Sequence, residues 1–513
     1  MTKKLALIGV VAFLSACASG PKKTVDVRVS EDQVSQAYAE SLVKKGHYLA
    51  FKKAFGLYRN IYARRALRPK VAAAYVRAGL LLALRERQIG MDDPGTLAEV
   101  NRVIGENRSL ASVAAPALVI SAIPPRTRGV MKDIAADTRG QDDRERLRAA
   151  EEELRSAAPA DELSAAVLAA WACRAGRYSA EYRDLAEYLK VHPDSLLLKY
   201  EAAVCGEVDA DLAEALLAGE PEFAEARYHL GEAALREKRL LDAEAHLLRA
   251  FEAIPESPQP RILLAGIYFA TEEFATSLRF YDLALEVSPE YRDALLGKAI
   301  SLAYLGRHDE SMAVLERILE LGFWLLGESH YWLAWNLQTL KRGPEALRHI
   351  DEAKSRLPTN SHVFSLAGTI AMELGELERT EKDFMESLVY DPANTEALSG
   401  LGTLHARRAR WPAAAEFYEK AGRACAAEGE ALTAVIEDLR ASALAPGRKA
   451  RLVQRRASQL ERARFESATA DHNAAAAYFN AGNTGKALET AAKAAAHPAL
   501  REKAEEILRN IRK

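Results

Sequence analysis

The chain has 513 residues, 49% of them hydrophobic and 28% charged, with 70 basic and 72 acidic side chains for a formal net charge of -2. That balance fits a well-packed globular or repetitive body and removes any electrostatic argument for nucleic acid, which would show as a basic excess. The length has room for several ordinary domains or for one extended array whose core grows with each added unit.

In chain order, residues 1–16 read as an export signal. Lys3 and Lys4 precede an apolar run from Leu5 to Leu14, and Ser15 and Ala16 supply the small residues of a cleavage site. The run is too short to span a bilayer as a mature helix. The tetrad Leu14-Ser15-Ala16-Cys17 resembles the lipobox of bacterial lipoproteins. The resemblance implies cleavage before Cys17, acylation of its sulfur and amino group, and a lipidated tether over residues 17–30. Each buried methylene adds about 0.8 kcal/mol, so two or more acyl chains hold a protein at a membrane. Ala18 stands where an Asp would imply retention at the inner membrane, so the resemblance implies the outer membrane. The expected side is the periplasm, although the residues do not encode the orientation.

Residues 31–160 carry helical spacing without a clear repeat. Ser30 to Lys45 and Tyr48 to Leu67 flank Gly46 as a helical hairpin would, and Val71 to Gln88 reads as a further helix ended by Asp92-Asp93-Pro94-Gly95. Ser109 to Ile123 is apolar, and Arg144 to Arg155 mixes charges at the spacing of a solvated helix face. Residues 161–223 suggest two degenerate helix pairs, with Gly176 in a turn and Pro193 and Pro221 at ends.

A period then emerges. Six units begin at Ala224, Pro258, Arg292, Gly327, Ser361 and Thr395, spaced by 34, 34, 35, 34 and 34 residues. The eighth position of each is Gly231, Ala265, Ala299, Ala334, Gly368 or Gly402, and the twentieth is Ala243, Ser277, Ser311, Ala346, Thr380 or Ala414. Small residues at both places let two helices approach closely. The twenty-fourth position is large: Leu247, Tyr281, Leu315, Ile350, Phe384 or Tyr418. Pro255, Pro289, Pro358 and Pro392 close four units where a second helix must stop. Over residues 224–421 this pattern resembles the tetratricopeptide repeat family, although Arg227, Arg261, Leu295 and His330 replace its usual fourth-position aromatic and Lys298 its apolar seventh. The resemblance implies an all-α solenoid, a superhelix of antiparallel helix pairs with a concave inner wall. Residues 422–467 read as a helical linker, interrupted near Ala445-Pro446-Gly447, and 468–513 as a terminal repeat-like unit with a polar capping helix.

The usual chemical motifs are missing: no His-Glu-x-x-His, no Gly-x-Ser-x-Gly and no Cys-x-x-Cys occurs. Gly482-Asn483-Thr484-Gly485-Lys486 mimics a phosphate loop without its spacing and lies where a repeat would turn. Neither a metal nor a cofactor is expected, and the chain is read as not an enzyme. Cys173 and Cys205 lie 32 residues apart at similar places on consecutive repeat-like units and form a candidate disulfide; adjacent helices stand about 8 to 10 Å apart where a disulfide needs Cα atoms within about 7 Å.

Aromatics cluster. Trp324, Trp332 and Trp335 fall beside Phe323 and Tyr331. In the repeat family the inner wall is built from positions two, five, nine, twelve and thirteen, which the resemblance assigns to Tyr331 and Trp335 together with Ile262, Phe269, Leu296, Ile300, Tyr304 and Met372. Trp332, at position six, is read as core. The lysine and asparagine set that holds a peptide carboxylate in some relatives is missing, so the expected ligand is an apolar or amphipathic segment. The expected function is a lipid-anchored scaffold for protein partners in a cell-envelope complex. The alternative is a transporter-associated ligand-binding lipoprotein, which a closed apolar cavity would favour.

Overall fold

The computed structural model describes residues 31–65, 68–91, 93–123, 141–174, 178–205, 209–322, 325–442 and 446–511. Within them the regular structure is twenty-five α-helices with short 3-10 turns and no strand, an all-α helical solenoid. Cys17 and the export signal lie outside the described residues.

The six units fold as antiparallel helix pairs: α11 (Ala224–Arg236) with α12 (Leu240–Ala253), α13 (Gln259–Ala270) with α14 (Phe274–Val287), α15 (Arg292–Tyr304) with α16 (His308–Glu320), α17 (Leu326–Thr339) with α18 (Gly343–Arg356), α19 (Ser361–Glu373) with α20 (Leu377–Tyr390), and α21 (Thr395–Arg407) with the start of α22 (Trp411–Ala441). The small eighth position exists because the large twenty-fourth lies on it. A Cβ added at Gly231 would come within 2.6 Å of Leu247, at Gly368 within 2.6 Å of Phe384, and at Gly402 within 2.7 Å of Tyr418. Gly400, at position six of the next unit, presses on the opposite side of Phe384, so one buried ring joins two units. Dispersion over such interlocked surfaces, more than helix propensity, holds the stack.

Every unit turns between its helices through one left-handed residue at the fifteenth position: Lys238 (φ 60°), Glu272 (59°), Gly306 (74°), Lys341 (60°), Gly375 (80°) and Ala409 (55°). Only two of the six are glycine. Gly482 repeats the feature at φ 76° between α23 (Pro446–Asn480) and α24 (Thr484–Ala495), the seventh pair. There Asn483 caps α24 and Lys486 Nζ donates to the Tyr478 hydroxyl at 3.1 Å, so the phosphate-loop mimic is an interhelix turn. α25 (Arg501–Ile511) ends the chain.

The N-terminal helices are α1 (Glu31–Val43), α2 (Tyr48–Arg65), α3 (Pro69–Gln88), α4 (Pro94–Glu106), α5 (Ala114–Ala122), α6 (Gln141–Ala157), α7 (Glu162–Arg174), α8 (Tyr178–Val191), α9 (Leu196–Val204) and α10 (Ala210–Gly219). They share one buried core that extends to Ala224 and Ile254. α1 to α3 lie beside α9 to α13: Gly46 abuts Leu196 and Leu197, Ser257 donates to the Ile89 carbonyl at 2.8 Å, and Lys52 pairs with Glu256 at 2.6 Å. At the centre of this seam Arg85 is completely buried. It donates to Glu201 at 2.8 Å and twice to the Gly46 carbonyl at 3.2 and 2.9 Å, and it stacks on Tyr200 at 3.7 Å. Gln88 fills the other oxygen of Glu201 at 2.8 Å, so this buried charge is both paired and hydrogen-bonded.

Candidate functional site: an aromatic strip on the repeat solenoid

Six rings from three consecutive units make a continuous strip. Phe269 meets Phe274 at 5.2 Å between centroids and Tyr304 at 5.3 Å; Phe274 stacks on Tyr304 at 4.8 Å. Tyr304 then reaches both Trp332 and Trp335 at 5.9 Å, and Tyr331 meets Trp332 edge-on at 5.2 Å. Such tilted and stacked pairs are each worth about 0.5 to 1.5 kcal/mol beyond their burial, so the strip is a stiff surface before anything binds it.

The expected wall residues differ in what they offer. Tyr304 is 48% exposed, and Phe269, Leu296, Ile300, Trp335 and Met372 are half-buried. Ile262 is buried with Tyr281 and Tyr291. Tyr331 is half-buried by its surface, and burial pushes its hydroxyl well above its ordinary range, with Glu396 adding to the shift. Tyr331, Trp332 and Trp335 all pack on the core of units three to five, and Trp332 sits between the other two. Trp324 and Phe323 lie outside the described residues. Phe274 and His308, the latter 5.9 Å from Trp335, were not among the expected wall residues because both begin second helices. Their common seventeenth position, shared with Trp411, is the signal that marks them.

Cys173 and Cys205 are joined in the structure, with Cα atoms 5.3 Å apart. Cys425 is buried, and burial pushes its thiol up to about 11. Among the described residues, one cluster of potential metal ligands forms, with donor atoms of His47, Glu220 and Glu222 within 4.8 Å of one another. The Lys45 ammonium already pairs with Glu220 at 2.8 Å, and His47 Nδ1 accepts from the Ala50 amide at the start of α2, while His47 Nε2 is buried without a hydrogen-bond partner. No helix of the described residues is long and apolar enough to cross a membrane.

No family model matches the chain, and no curated protein does. Among solved structures it is similar to YrrB, a TPR protein described as having an unusual peptide-binding site, at 23% identity over 35% of this chain and 91% of that one (TM-score 0.28). It is similar to the APC/C hetero-tetramer Cut9-Hcn1 at 11% identity over 94% of this chain and 97% of that one (TM-score 0.41). A tetratricopeptide repeat protein from Parabacteroides merdae aligns at 15% identity over 54% and 98% of the two chains (TM-score 0.36). The helix-pair architecture stands on this chain's own period and geometry.

Proposed function

We propose that this protein is a lipid-anchored scaffold, working by binding and not by catalysis, whose aromatic strip docks an apolar or amphipathic segment of a protein partner in the cell envelope. The observation that carries the reading is the strip itself. It is a run of rigid rings over three units, partly exposed and backed by a close-packed core, and aromatic residues supply large contact area at low entropic cost. The lipobox-like tetrad ending in Cys17, followed by Ala18, supports attachment to the outer membrane, and replacing Cys17 by Ser should leave the precursor unprocessed or release the protein from membranes. Normal processing with unchanged membrane partition would remove the anchor from the proposal.

A ligand-binding role in transport would be favoured by a closed apolar cavity. The cleft of about 650 Å³ beside α1 and α3 is open on one side and mixed in lining, with Glu40, Lys44, Arg77 and Glu162 beside Val43, Leu81 and Leu197, so it is not a closed apolar cavity.

Because Tyr331 is the more buried ring, the cleaner test of docking truncates Tyr304 and Trp335 together. A hot-spot residue is worth about 2 kcal/mol or more, so partner capture from crosslinked membranes should fall by more than about tenfold, while a melt that is lowered by the lost ring contacts but still cooperative shows the solenoid folded. Capture that survives this double change places docking on another surface.

A further inference from the structure

The second helix of the sixth unit does not stop where the others do. α12, α14, α18 and α20 have 14 residues and α16 has 13, whereas α22 has 31 and its successor α23 has 35. The first part of α22 fills the sixth unit and the last part of α23 enters the seventh. The lengths between form an antiparallel arm that leaves the stack. Its root is marked by Ser467, whose hydroxyl donates to the Gly422 carbonyl at 3.0 Å. Beyond the root the buried residues of the arm are few and spaced: Gly429 against Leu460, then Ile436 on α22, and Leu452 and Ala463 on α23.

The far part of the arm does not float free. Arg455 donates to the Thr271 carbonyl at 3.2 Å and pairs with Glu273 at 2.6 Å, and Arg456 donates to the Ala270 carbonyl at 3.1 Å. Ala270 and Thr271 end α13, where carbonyls have no amide ahead of them and the helix dipole is negative, so the two guanidinium groups cap that helix from 184 and 186 residues away. Twelve residues separate Arg455 from Ser467, about 18 Å of helix. Along the stack, even one interhelix step of about 8 to 10 Å per unit sets the second and sixth units more than about 30 Å apart. The arm is therefore a chord across the curve of the solenoid. Thr271 and Glu273, which receive Arg455, lie between Phe269 and Phe274 in the chain, so the latch sits at the end of the aromatic strip.

We propose that the α22–α23 arm is a strap across one end of the aromatic strip, latched by Arg455 and Arg456 on the C-terminal end of α13, and that a partner segment gains the whole strip when this latch opens. The strap stands on geometry alone; what its opening admits rests on the docking role proposed above. Charge favours an internal occupant here. Between Pro446 and Phe465 the helix has seven basic residues and one acidic one, and the turn that receives it offers Glu272 and Glu273.

The test uses the full chain and needs no partner. In one variant Arg455→Glu and Arg456→Glu break the latch; in a second, Arg455→Glu with Glu273→Arg reverses the ion pair and keeps it. Amide hydrogen exchange and hydroxyl-radical oxidation are followed by mass spectrometry. Breaking charged hydrogen bonds to an arm with few buried residues should speed exchange over residues 446–465 by about tenfold or more. Oxidation of Phe269 and Phe274 should rise with it, residues 224–421 should keep their protection, and the reversed pair should return both signals toward wild type. Exchange and oxidation unchanged in the broken-latch variant would overturn the strap. So would a loss of protection throughout the solenoid that the reversed pair does not repair. Neither result touches the docking role, which the Tyr304 and Trp335 truncations test with the latch intact.

Discussion

The six-unit block and the N-terminal helices bury comparable side chains by opposite means. In the block, each close approach joins residues near in sequence: Gly368 and Gly400 grip Phe384 from sixteen residues on either side. In the N-terminal region the decisive contacts join distant segments, with Arg85 on Glu201 across 116 residues, Ser257 on Ile89 across 168 and Tyr48 on Glu225 across 177. A stack of local contacts can lose or gain a unit and keep its neighbours, because stability there is close to a sum of unit and interface terms. A region closed by distant contacts around a buried charge stands or falls together. The block is thus suited to presenting a surface, and the N-terminal helices to sealing one end of it.

The sharpest way to break this contrast is to remove one buried group from each region. Arg85→Ala leaves Glu201 and Glu225 buried without their cation and should cost about 3 to 5 kcal/mol, felt in urea unfolding as joint loss of α1 to α3 and α9. Phe384→Ala should cost about 3 to 5 kcal/mol as well, but hydrogen exchange should place the loss in the fifth and sixth units. If Arg85→Ala unfolds the six units to the same extent, the two regions are one cooperative body.

The disulfide sharpens the same point at smaller scale. It closes a segment of 32 residues between α7 and the end of α9, and by loop entropy its loss in Cys173→Ala with Cys205→Ala should cost about 2 to 4 kcal/mol. Denaturant midpoints of the two proteins, each without reductant, measure it; equal midpoints would mean that the cross-link adds nothing to helices already packed.

Two buried titratable groups of the N-terminal region should act in opposite directions with pH. Burial, helped by Asp93, raises the Glu86 carboxyl from 4.5 to about 7, and burial lowers the His47 imidazole from 6.5 to about 4. The folded protein therefore holds the Glu86 proton more tightly than the unfolded chain does; that stabilisation is complete below 4.5 and is lost as pH rises through 7. His47 is favoured neutral, so its contribution is complete above 6.5 and is lost as pH falls toward 4. Glu86→Gln keeps the shape and removes one slope. At pH 8 it should stabilise the protein by about 1 to 2 kcal/mol, at pH 4.5 it should change little, and between them stability should now rise with pH through His47. Chemical denaturation across pH 4 to 8, in steps of about half a unit, checks both signs. A variant with the same pH profile as the parent would mean that Glu86 is not held protonated.

The smallest effect belongs to the block. Ala409 holds a left-handed conformation at φ 55° where two other units have glycine, so Ala409→Gly relieves backbone strain and should raise stability by about 0.5 to 1 kcal/mol. A lowered melt would show that the Ala409 methyl group contributes more than its backbone costs.

By itself the amino-acid sequence determined the period, the pairing of small eighth with large twenty-fourth positions, the closing prolines and so the all-α solenoid, because those contacts recur at fixed short spacing and each unit repeats the evidence. That rings gather around Tyr331 and Trp335 was legible as well, since residues one helical turn apart lie together, but which of them face outward was not. Tertiary structure alone decided the rest. It buried Ile262 and most of Tyr331, brought Phe274 and His308 to the strip from second helices, and forced Lys238, Glu272, Lys341 and Ala409 into a turn that their side chains do not favour. It also set Arg85 against Glu201, and Arg455 and Arg456 on the end of α13. An arginine bound for a buried carboxylate or a distant carbonyl looks, in one sequence, like any arginine on a solvated helix face. Its partner is chosen by how the helices curve and return, and no local pattern of residues encodes that return.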